Sequence, residues 1–434
     1  MTLLSAKMLK ELRLSKAMRI LLVNPGFRGY RGLDLFPLAL GYLTSFLEGH
    51  EVKILDLQVE EEDKLIELVK SVDLVGITST TPSFESARQI AQIAKREGKI
   101  VVMGGAHVTF RPTDALDVCD YVVLGEGELT FSELCKTLEE GGDIEKVRGI
   151  AFKSGDEVIR TEEMPLIEDL DSIPFPHYEL FPMEKYKIMS VTTSRGCIFN
   201  CIYCAARKFW RGRVRFRSVK NVVEELKMLV ERFGKRNFKF HDSTFTLDMQ
   251  RAKKLCEAIK ELGISWSCET RAELLDESLI ATMAEAGCKL MCFGIDSGDE
   301  SVLERANRYV DFDACAESFR LCRKYGIRTR AYIIFGLPGE NEASCKRTIE
   351  LIERLKPDEV MLSLACAYPG TELRPSEVIP HESWIAKFMG HGRGAPLHVP
   401  EGMDIKTYMR LADHMWQWAR EYNKRSRSRR QLYP

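Results

Sequence analysis

The stretch 194–204, "SRGCIFNCIYC", decides the interpretation of this chain because it places Cys197, Cys201 and Cys204 close together. It follows an apolar run at 188–194, "IMSVTTS", which predicts a buried strand. The cysteines therefore lie in a loop at a strand's carboxyl end, where barrel folds build their active sites. Thiolates at this spacing suit three corners of an iron–sulfur cluster, or zinc. Three ligands leave the usual four-ligand shell one short.

A structural zinc site is the alternative for these cysteines. Such a site needs a fourth ligand, usually from a second cysteine pair. The chain has 13 cysteines but no second Cys-x2-Cys. Cys268 and Cys292 fall on separate predicted strands and share no ligand spacing, so only folding would bring either of them near.

The cysteine loop opens a series of alternating strands and helices that extends from residue 188 to 370. Amphipathic segments with apolar residues at three- and four-residue spacing separate the strands and predict helices. Six such βα repeats predict a partial (β/α)6 barrel, smaller than the complete eight-fold form. The six strand candidates are 188–194, 238–244, 265–271, 290–298, 328–339 and 359–370.

The preceding residues, 1–140, predict a separate α/β domain. Five continuous apolar strands separated by helices from residue 18 onward indicate a parallel sheet covered on both faces. A doubly wound, Rossmann-like domain of this kind binds ligands at the carboxyl ends of its strands. Residues 141–187 read as a linker with a small hairpin. Residues 371–434 read as a short α-rich region that covers the barrel mouth.

Composition limits the class of protein. The 434 residues carry 63 basic and 64 acidic side chains, and 45% are hydrophobic, as in a soluble protein with two or three domains. This balance indicates no nucleic-acid partner. No run approaches the ~18 apolar residues of a membrane span, and charges interrupt the N-terminus too often for a signal peptide. We expect a cytoplasmic monomer with reduced cysteines.

Cys-x3-Cys-x2-Cys after the first strand of a partial barrel resembles the radical S-adenosylmethionine superfamily. In that family three cysteines hold a 4Fe–4S cluster, and S-adenosylmethionine (SAM) chelates the remaining iron. The resemblance therefore implies that Cys197, Cys201 and Cys204 are the metal ligands and that the fourth corner is open. Tyr203 occupies the aromatic position that usually precedes the last cysteine.

The same resemblance implies further SAM contacts at the strand ends. The segment "HDST" (241–244) stands where the family has a Gly-Gly-Glu-like segment that binds the methionine amino group. It departs from that pattern, although Asp242 and Ser243 are able to accept hydrogen bonds from an ammonium. The later strand ends supply Glu269 and Arg271 for ribose and carboxylate, Asp296 and Ser297 as polar contacts, and Ile334 and Gly336 against adenine.

Segments of the first domain, among them "VGITSTTPSFESA" and "VVMGGAHVTFRP", resemble the cobalamin-binding domain of cobalamin-dependent radical SAM enzymes. Hydroxyls at a strand end suit the nucleotide tail of cobalamin, and glycines allow close backbone approach. The implied contacts are Thr78, Ser79, Thr80, Thr81, Gly104, Gly105, His107, Gly125, Glu126 and Gly127. A dinucleotide site is disfavoured, because no G-x-G-x-x-G opens the first helix. A doubly wound domain with another ligand, or none, is the alternative.

The first loop of this domain, "NPGFRGYRGLD" (24–34), contains no histidine. Many cobalamin proteins carry Asp-x-His-x-x-Gly there, and its histidine ligates cobalt from below. The resemblance to the radical branch implies base-off cobalamin without a histidine ligand. Tyr30 or Arg28 would then lie near the lower face of the cobalamin. Alternatively, the lower axial position would hold water or be empty.

The resemblance implies a methyltransferase that uses SAM twice. One molecule would methylate cobalamin. The other would be cleaved at the cluster, after reduction by a donor such as ferredoxin or flavodoxin, to the 5′-deoxyadenosyl radical that activates a substrate carbon. Family members act on lipids, tetrapyrroles and proteins, and one methylates a glutamine of methyl-coenzyme M reductase. The alternatives are radical cyclisation, rearrangement or carbon coupling, and a non-catalytic cobalamin or iron–sulfur carrier.

Overall fold

The computed structural model describes residues 17–26, 35–374 and 397–432. They form two compact units. Unit 1 consists of the described residues of Met1–Leu33, Pro37–Ile167 and Ile173–Lys185. Unit 2 consists of those of Asp34–Phe36, Glu168–Ser172 and Tyr186–Pro434.

Unit 1 is built on a seven-stranded sheet in the order β2-β1-β3-β4-β5-β6-β7. The strands are β1 Arg19–Asn24, β2 Glu51–Asp56, β3 Leu74–Thr78, β4 Ile100–Gly104, β5 Tyr121–Val123, β6 Ile150–Ser154 and β7 Glu157–Arg160. The first five pair in parallel, as their continuous apolar sequences predict. Strand order reverses between β1 and β3, which is the switch point of a doubly wound fold.

Hairpin β6–β7 pairs antiparallel with β5 and extends the sheet of unit 1. The hairpin itself was predicted, but its place differs from the prediction, since residues 141–187 were assigned to a linker. Most of this stretch belongs to unit 1. The helices of this unit are α1 Leu38–Thr44, α2 Leu65–Lys70, α3 Phe84–Arg96, α4 Ala106–Phe110 and α5 Gly127–Glu140.

Unit 2 contains six parallel strands in the order β15-β14-β13-β12-β11-β8, so that neighbours in the sheet follow chain order. They are β8 Met189–Val191, β11 Asn237–Phe240, β12 Ser265–Thr270, β13 Cys288–Asp296, β14 Arg328–Phe335 and β15 Glu359–Leu364. All six predicted strands are present, and the predicted (β/α)6 arrangement is confirmed. A two-stranded antiparallel ribbon, β9 Ser194–Arg195 with β10 Arg215–Phe216, follows β8.

Helices separate these strands, and one more follows the last of them: α6 Ala206–Phe209, α7 Val219–Phe233, α8 Met249–Ile259, α9 Glu277–Glu285, α10 Glu300–Arg305, α11 Phe312–Lys324, α12 Glu342–Leu355 and finally α13 Ile405–Leu432. Side-chain N-caps begin several of them, for example Ser218 in α7 and Asp276 in α9, and satisfy amides that the helix leaves free. Across the described part of the chain, we find no helix both long and apolar enough to cross a membrane.

The long helix α13 lies along β15, the edge strand of the second sheet. The Asn423 amide both accepts from the Val360 backbone N–H (2.8 Å) and donates to the Val360 carbonyl (2.9 Å). The Tyr422 hydroxyl donates to the Pro357 carbonyl. These bonds satisfy backbone groups that an open edge exposes. Residues 371–434 were predicted to cover the barrel mouth, whereas their final helix covers this edge; 375–396 lie outside the described residues.

Candidate functional site

The cysteine loop is held at its centre by backbone hydrogen bonds. The Ile202 N–H donates to the Ala306 carbonyl (3.1 Å), and the Ile202 carbonyl accepts from the Glu372 N–H (2.8 Å). Within the loop, the Cys204 N–H donates to the Cys201 carbonyl (3.0 Å). Cys197 and Cys201 are half-buried, and Cys204 is exposed. The three cysteines are therefore presented from one loop that is anchored to two other segments of unit 2.

The entrance to this loop is organised by the carboxylate of Asp242, which follows β11. It accepts hydrogen bonds from the Thr193 N–H (2.7 Å), the Thr193 hydroxyl (2.5 Å) and the Ser194 hydroxyl (2.8 Å). Burial raises the pKa of Asp242, while these donors oppose the rise. Asp242 was predicted to bind the SAM ammonium. In the structure its carboxylate is bonded to the residues that follow β8, and the neighbouring Ser243 is exposed.

Two arginines complete this arrangement. Arg217 donates to the Thr192 carbonyl (2.8 Å) and to Glu225 (2.6 Å), and the side chains of this ion pair are 4% and 0% exposed. Arg251 donates to the Thr193 carbonyl (2.9 Å). Removing one partner from a buried pair costs about 3–5 kcal/mol. The sequence carries no motif for these residues, because the partners named here lie 8 to 58 positions away.

Gly196 joins β9 to Cys197 at a position that excludes any side chain. Its φ is +111°, and a Cβ atom there would lie 1.9 Å from the Arg213 carbonyl oxygen. The close approach follows from the ribbon, in which Arg195 pairs with Arg215. A glycine is therefore required immediately before the first cysteine.

A cavity of about 480 Å³ adjoins the cysteine loop through Tyr203. Four of the predicted SAM contacts line it: Tyr203, Glu269, Asp296 and Ile334. The remaining lining residues, which were not predicted as contacts, are Lys239, Tyr332, Ile333, Met361, Ser363, Leu364, Ala365, Cys366 and Tyr368. Its size and its mixture of an apolar wall with a few polar groups are typical of small-molecule sites.

Asp296 connects the cysteine loop to the strand ends. Its carboxylate accepts from the Tyr203 hydroxyl (2.8 Å) and from Arg308 Nε (3.0 Å). Burial raises the pKa of Asp296 to about 6. Its φ of +67° is uncommon for a residue other than glycine and marks local strain of the kind that collects at functional sites.

Glu269 lies within an ion pair in the same cavity. Lys239 Nζ lies 2.9 Å from Glu269 Oε1, and the Tyr332 hydroxyl donates to the same oxygen (3.3 Å). Strand alternation would have identified Lys239, since Phe238 and Phe240 on either side of it are buried and its side chain must point to the opposite face.

Like Asp242 and Ser243, three further predicted contacts do not line this cavity. The Arg271 guanidinium stacks 3.7 Å from the centre of the Phe199 ring and supports the cysteine loop. Ser297 is fully buried, and its hydroxyl accepts from the Asp299 N–H (3.2 Å). Gly336 has a φ of +98° and packs against Tyr408, whose hydroxyl would lie 2.9 Å from an added Cβ.

Glu340 holds the turn that follows β14. Its carboxylate accepts from the backbone N–H groups of Gly336 (2.7 Å) and Leu337 (3.2 Å). Burial raises the pKa of Glu340 from 4.5 to about 8. This buried carboxyl was not identified from the sequence, where it reads as part of a glycine-rich turn.

The cysteine loop fits a cluster held by thiolates. Burial raises the pKa of Cys201 to about 11, so the positive charge of iron would be needed to favour its thiolate form. Within the described ranges, no three His, Cys, Asp or Glu side chains converge where a single metal ion would sit. Ligands of a cluster bind irons at separate corners and do not have to converge on one point.

In unit 1, the predicted cobalamin contacts gather at the carboxyl ends of β3, β4 and β5. Thr78 pairs in register with Gly104, and the Ser79 N–H donates to the Gly104 carbonyl (2.8 Å). A Cβ on Gly105 would lie 2.4 Å from the Ser79 carbonyl oxygen. The Ser79 hydroxyl is buried and has no hydrogen-bond partner among the described residues. A group with hydrogen-bonding atoms, such as the tail of cobalamin, fits this edge.

The glycines after β5 add space to the same edge. Gly125 has a φ of +77°, and no described atom lies within 4 Å of the position its Cβ would take. Gly127 begins α5. Glu126, between them, accepts from the Ile167 N–H (2.9 Å), which fixes the segment that leaves β7.

His107, Thr81 and Thr80 make local contacts. The His107 ring stacks on Phe84 at 3.9 Å, and its Nδ1 lies 3.1 Å from the Thr81 hydroxyl. Burial lowers the pKa of His107 and so favours the neutral imidazole. Thr80 forms a capping box with Ser83. Tyr30 lies outside the described residues.

Comparisons with known proteins agree with both halves of this arrangement. Residues 191–352 match the Radical SAM superfamily, and residues 26–135 match the B12 binding domain. An uncharacterized methyltransferase of Pyrococcus horikoshii is 37% identical, over 82% of this chain and 83% of that protein. The cytidylyl-2-hydroxyethylphosphonate methyltransferase of Streptomyces wedmorensis is 29% identical, over 83% and 81%.

A solved structure shows the same fold. The radical S-adenosylmethionine methyltransferase TsrM of Kitasatospora setae, with cobalamin and a [4Fe–4S] cluster bound, superposes with a TM-score of 0.72. The match covers 91% of this chain and 81% of that one at 22% identity.

We predict that Gly196→Ala abolishes cluster binding, because the new methyl group would displace the Arg213 carbonyl and move Cys197. Iron and sulfide per chain after anaerobic reconstitution measure the effect. Gly212→Ala is the matched control: its φ is also positive, at +69°, but its Cβ would meet nothing closer than 3.7 Å. The control should retain its iron and lose about 1 kcal/mol of stability. Equal iron content in the two variants would contradict this account.

We also predict a pH dependence that arises from Glu340. Its folded-state pKa of about 8 exceeds the ordinary value of 4.5, so the folded state binds more protons between these values. The free energy of unfolding should therefore fall as pH rises, by up to about 1.4 kcal/mol per unit. Glu340→Gln mimics the protonated form and should flatten this slope in urea titrations from about pH 5.5 to 7.5.

The exposed carboxylate of Glu350, on the neighbouring helix α12, provides the control for that measurement. Glu350→Gln should leave the slope of the wild-type protein unchanged. If Glu340→Gln also retains the full slope, the carboxyl of Glu340 is not the group responsible.

Proposed function

Since this chain belongs to the cobalamin-dependent radical SAM methyltransferase family, we propose that it methylates an unactivated carbon of its substrate. The observation that carries this proposal is the position of Cys197, Cys201 and Cys204 in the loop after β9, beside the cavity that Tyr203 and Asp296 line. When bound, the cluster, SAM and cobalamin supply the radical and the methyl group. The chain itself supplies binding, orientation and exclusion of water.

Each side of the cavity has its own part in this proposal. The three cysteines hold the cluster and leave one corner for SAM. Asp296, already bonded to Tyr203, fixes the last turn of the cysteine loop against the cavity. The Lys239–Glu269 pair offers one cation and one anion to polar groups of a bound molecule. Apolar side chains of β14 and β15, such as Ile334 and Met361, exclude water from the opposite wall.

We propose that cobalamin binds base-off and without a histidine ligand from the first loop. The support is the lack of histidine in residues 24–34 and the local packing of His107, whose ring nitrogens face Thr81 and Asp114. The buried Ser79 hydroxyl would hydrogen-bond the detached nucleotide tail.

The substrate that we propose to test first is a protein side chain, for example the glutamine of methyl-coenzyme M reductase. The support is that the described C-terminal residues, 397–432, contribute no side chain to the lining of the cavity. A segment of a large substrate would then have access to it. Mass spectrometry of host proteins and lipids with and without the gene would identify the methylated molecule.

The methylation proposal predicts two small products and one labelled substrate. Anaerobic enzyme, supplied with SAM that carries a CD3 group and with reduced methyl viologen, should form 5′-deoxyadenosine and S-adenosylhomocysteine. The substrate should gain CD3 in place of hydrogen. The triple Cys→Ala variant of the trio should form no 5′-deoxyadenosine, whereas the control Cys119→Ala, in unit 1, should form it normally.

Other outcomes identify the alternatives. A substrate of unchanged or doubled mass would indicate rearrangement, cyclisation or coupling. Wild-type enzyme that forms no 5′-deoxyadenosine would indicate a carrier. A triple variant that still forms it would refute the role of the trio.

The base-off proposal predicts an electron paramagnetic resonance spectrum of bound cob(II)alamin without splitting from an axial nitrogen. Nitrogen splitting in the wild-type protein would overturn it. His107→Ala should leave the spectrum unchanged, because the ring of His107 is engaged with Phe84 and Thr81.

A further inference from the structure

The surface beside the cysteine loop has an unusual distribution of charge. From Lys185 to Val223 the chain carries ten basic residues and no acidic residue, although the whole chain has nearly equal numbers of both. Some of these cations, such as Arg217, which bonds the Thr192 carbonyl and Glu225, are buried. The segment between the last cysteine and β10 contains four basic residues, and all of them are exposed: Arg207, Lys208, Arg211 and Arg213.

Exposed and half-buried apolar side chains accompany these cations. Ile198, between the first two cysteines, is 52% exposed. Phe209 and Trp210 are half-buried and contact each other edge to face, with ring centres 4.8 Å apart. We name the surface formed by Ile198, Arg207, Lys208, Phe209, Trp210 and Arg211 the basic ribbon face. Apolar and aromatic residues together with arginine are the side chains enriched in protein interfaces.

The basic ribbon face is tied directly to the cysteine loop. Arg207 Nη1 donates to the Ile198 carbonyl (2.6 Å). Ile198 follows Cys197, and Cys204, which is itself exposed, precedes Ala205 at the start of the basic segment. A partner docked on this face would therefore lie against the segment that holds the cluster ligands.

We infer that the basic ribbon face is the docking site for a small acidic protein that carries single electrons. The inference rests on the proposed function, which requires one electron to enter at the cysteine loop. In the transfer the carrier is oxidised by one electron and the cluster held by the trio is reduced by one; no atom moves. Opposite charge steers such encounters and sets their orientation, and Ile198 with the half-buried Phe209 and Trp210 supplies apolar contact area.

An acidic flavodoxin is the probe for this site, and reversal of charge on the face is the test. Lys208→Glu/Arg211→Glu leaves Arg207, which supports the loop, in place. Isothermal titration of the reconstituted enzyme with flavodoxin, at about 50 mM salt where screening is weak, should show a dissociation constant raised about tenfold or more. Lys289→Glu/Arg328→Glu is the matched control. It makes the same change of charge at exposed positions at the amino ends of β13 and β14 and should change the constant less than twofold.

A second readout separates docking from chemistry. With reduced flavodoxin, Lys208→Glu/Arg211→Glu should form 5′-deoxyadenosine about tenfold more slowly than the wild type at low carrier concentration. With reduced methyl viologen, a small cation, the two should react at the same rate. Wild-type enzyme that is inactive with methyl viologen would refute the proposed function, whereas the binding measurement would still decide the docking site.

Three results would overturn the inference. The first is a flavodoxin dissociation constant that is the same in the variant and the wild type. The second is a variant that forms 5′-deoxyadenosine equally slowly with both reductants, which would show that these side chains support the loop. The third is single-stranded RNA that binds the wild type, binds the variant more weakly and displaces flavodoxin from the wild type. That result would make the face a nucleic-acid site.

Discussion

The buried carboxylate of Asp242 is the group on which the geometry of the cysteine loop depends. A carboxylate removed from water is stable only where donors replace its hydration, and here Thr193 and Ser194 supply them. Thr193 follows β8, Ser194 begins β9, and together they lead into Gly196 and the cysteines. Satisfaction of one buried acid therefore determines where the loop begins. Arg251, which bonds the Thr193 carbonyl, adds a positive charge on the same strand end.

Buried acids have a similar part in the rest of unit 2. Asp296 joins the cysteine loop to Arg308, and Glu340 holds the turn after β14 by its backbone amides. In each case a carboxylate at or after a strand's carboxyl end is bonded to protein donors. The polar residues that remain partly exposed to the cavity, Lys239 and Glu269, are then the ones best placed to meet a ligand. The walls are fixed by groups that do not themselves have to bind it.

Sequence alone was sufficient where the signal is local. Continuous apolar runs predicted the five parallel strands of unit 1 and the six of unit 2, and the spacing of the trio led to the family that the comparisons support. It did not show which protein groups Asp242, Ser297 and Arg271 contact, because a polar residue at a strand end has the same appearance whether it faces a ligand or a neighbouring loop. The orientation of Lys239 was predictable, because side chains alternate between the two faces of a strand. The contacts of Arg217 and Arg308 were not predictable, since their partners are far away in the chain.

The sequence by itself led to the family, through three cysteines at this spacing after the first strand of a βα series and through the α/β domain that precedes it. Residue spacing and βα periodicity are properties of neighbouring residues and can be read locally. The tertiary structure decided which polar side chains face the cavity and which are bonded to other protein groups. Whether a carboxylate binds a ligand or a backbone amide depends on which donors folding brings within 3 Å, and hydrogen bonds between distant strands leave no periodic trace. The same holds for the basic segment around the cysteines, since only the fold shows that Arg217 is buried whereas the cations of the basic ribbon face are exposed to solvent.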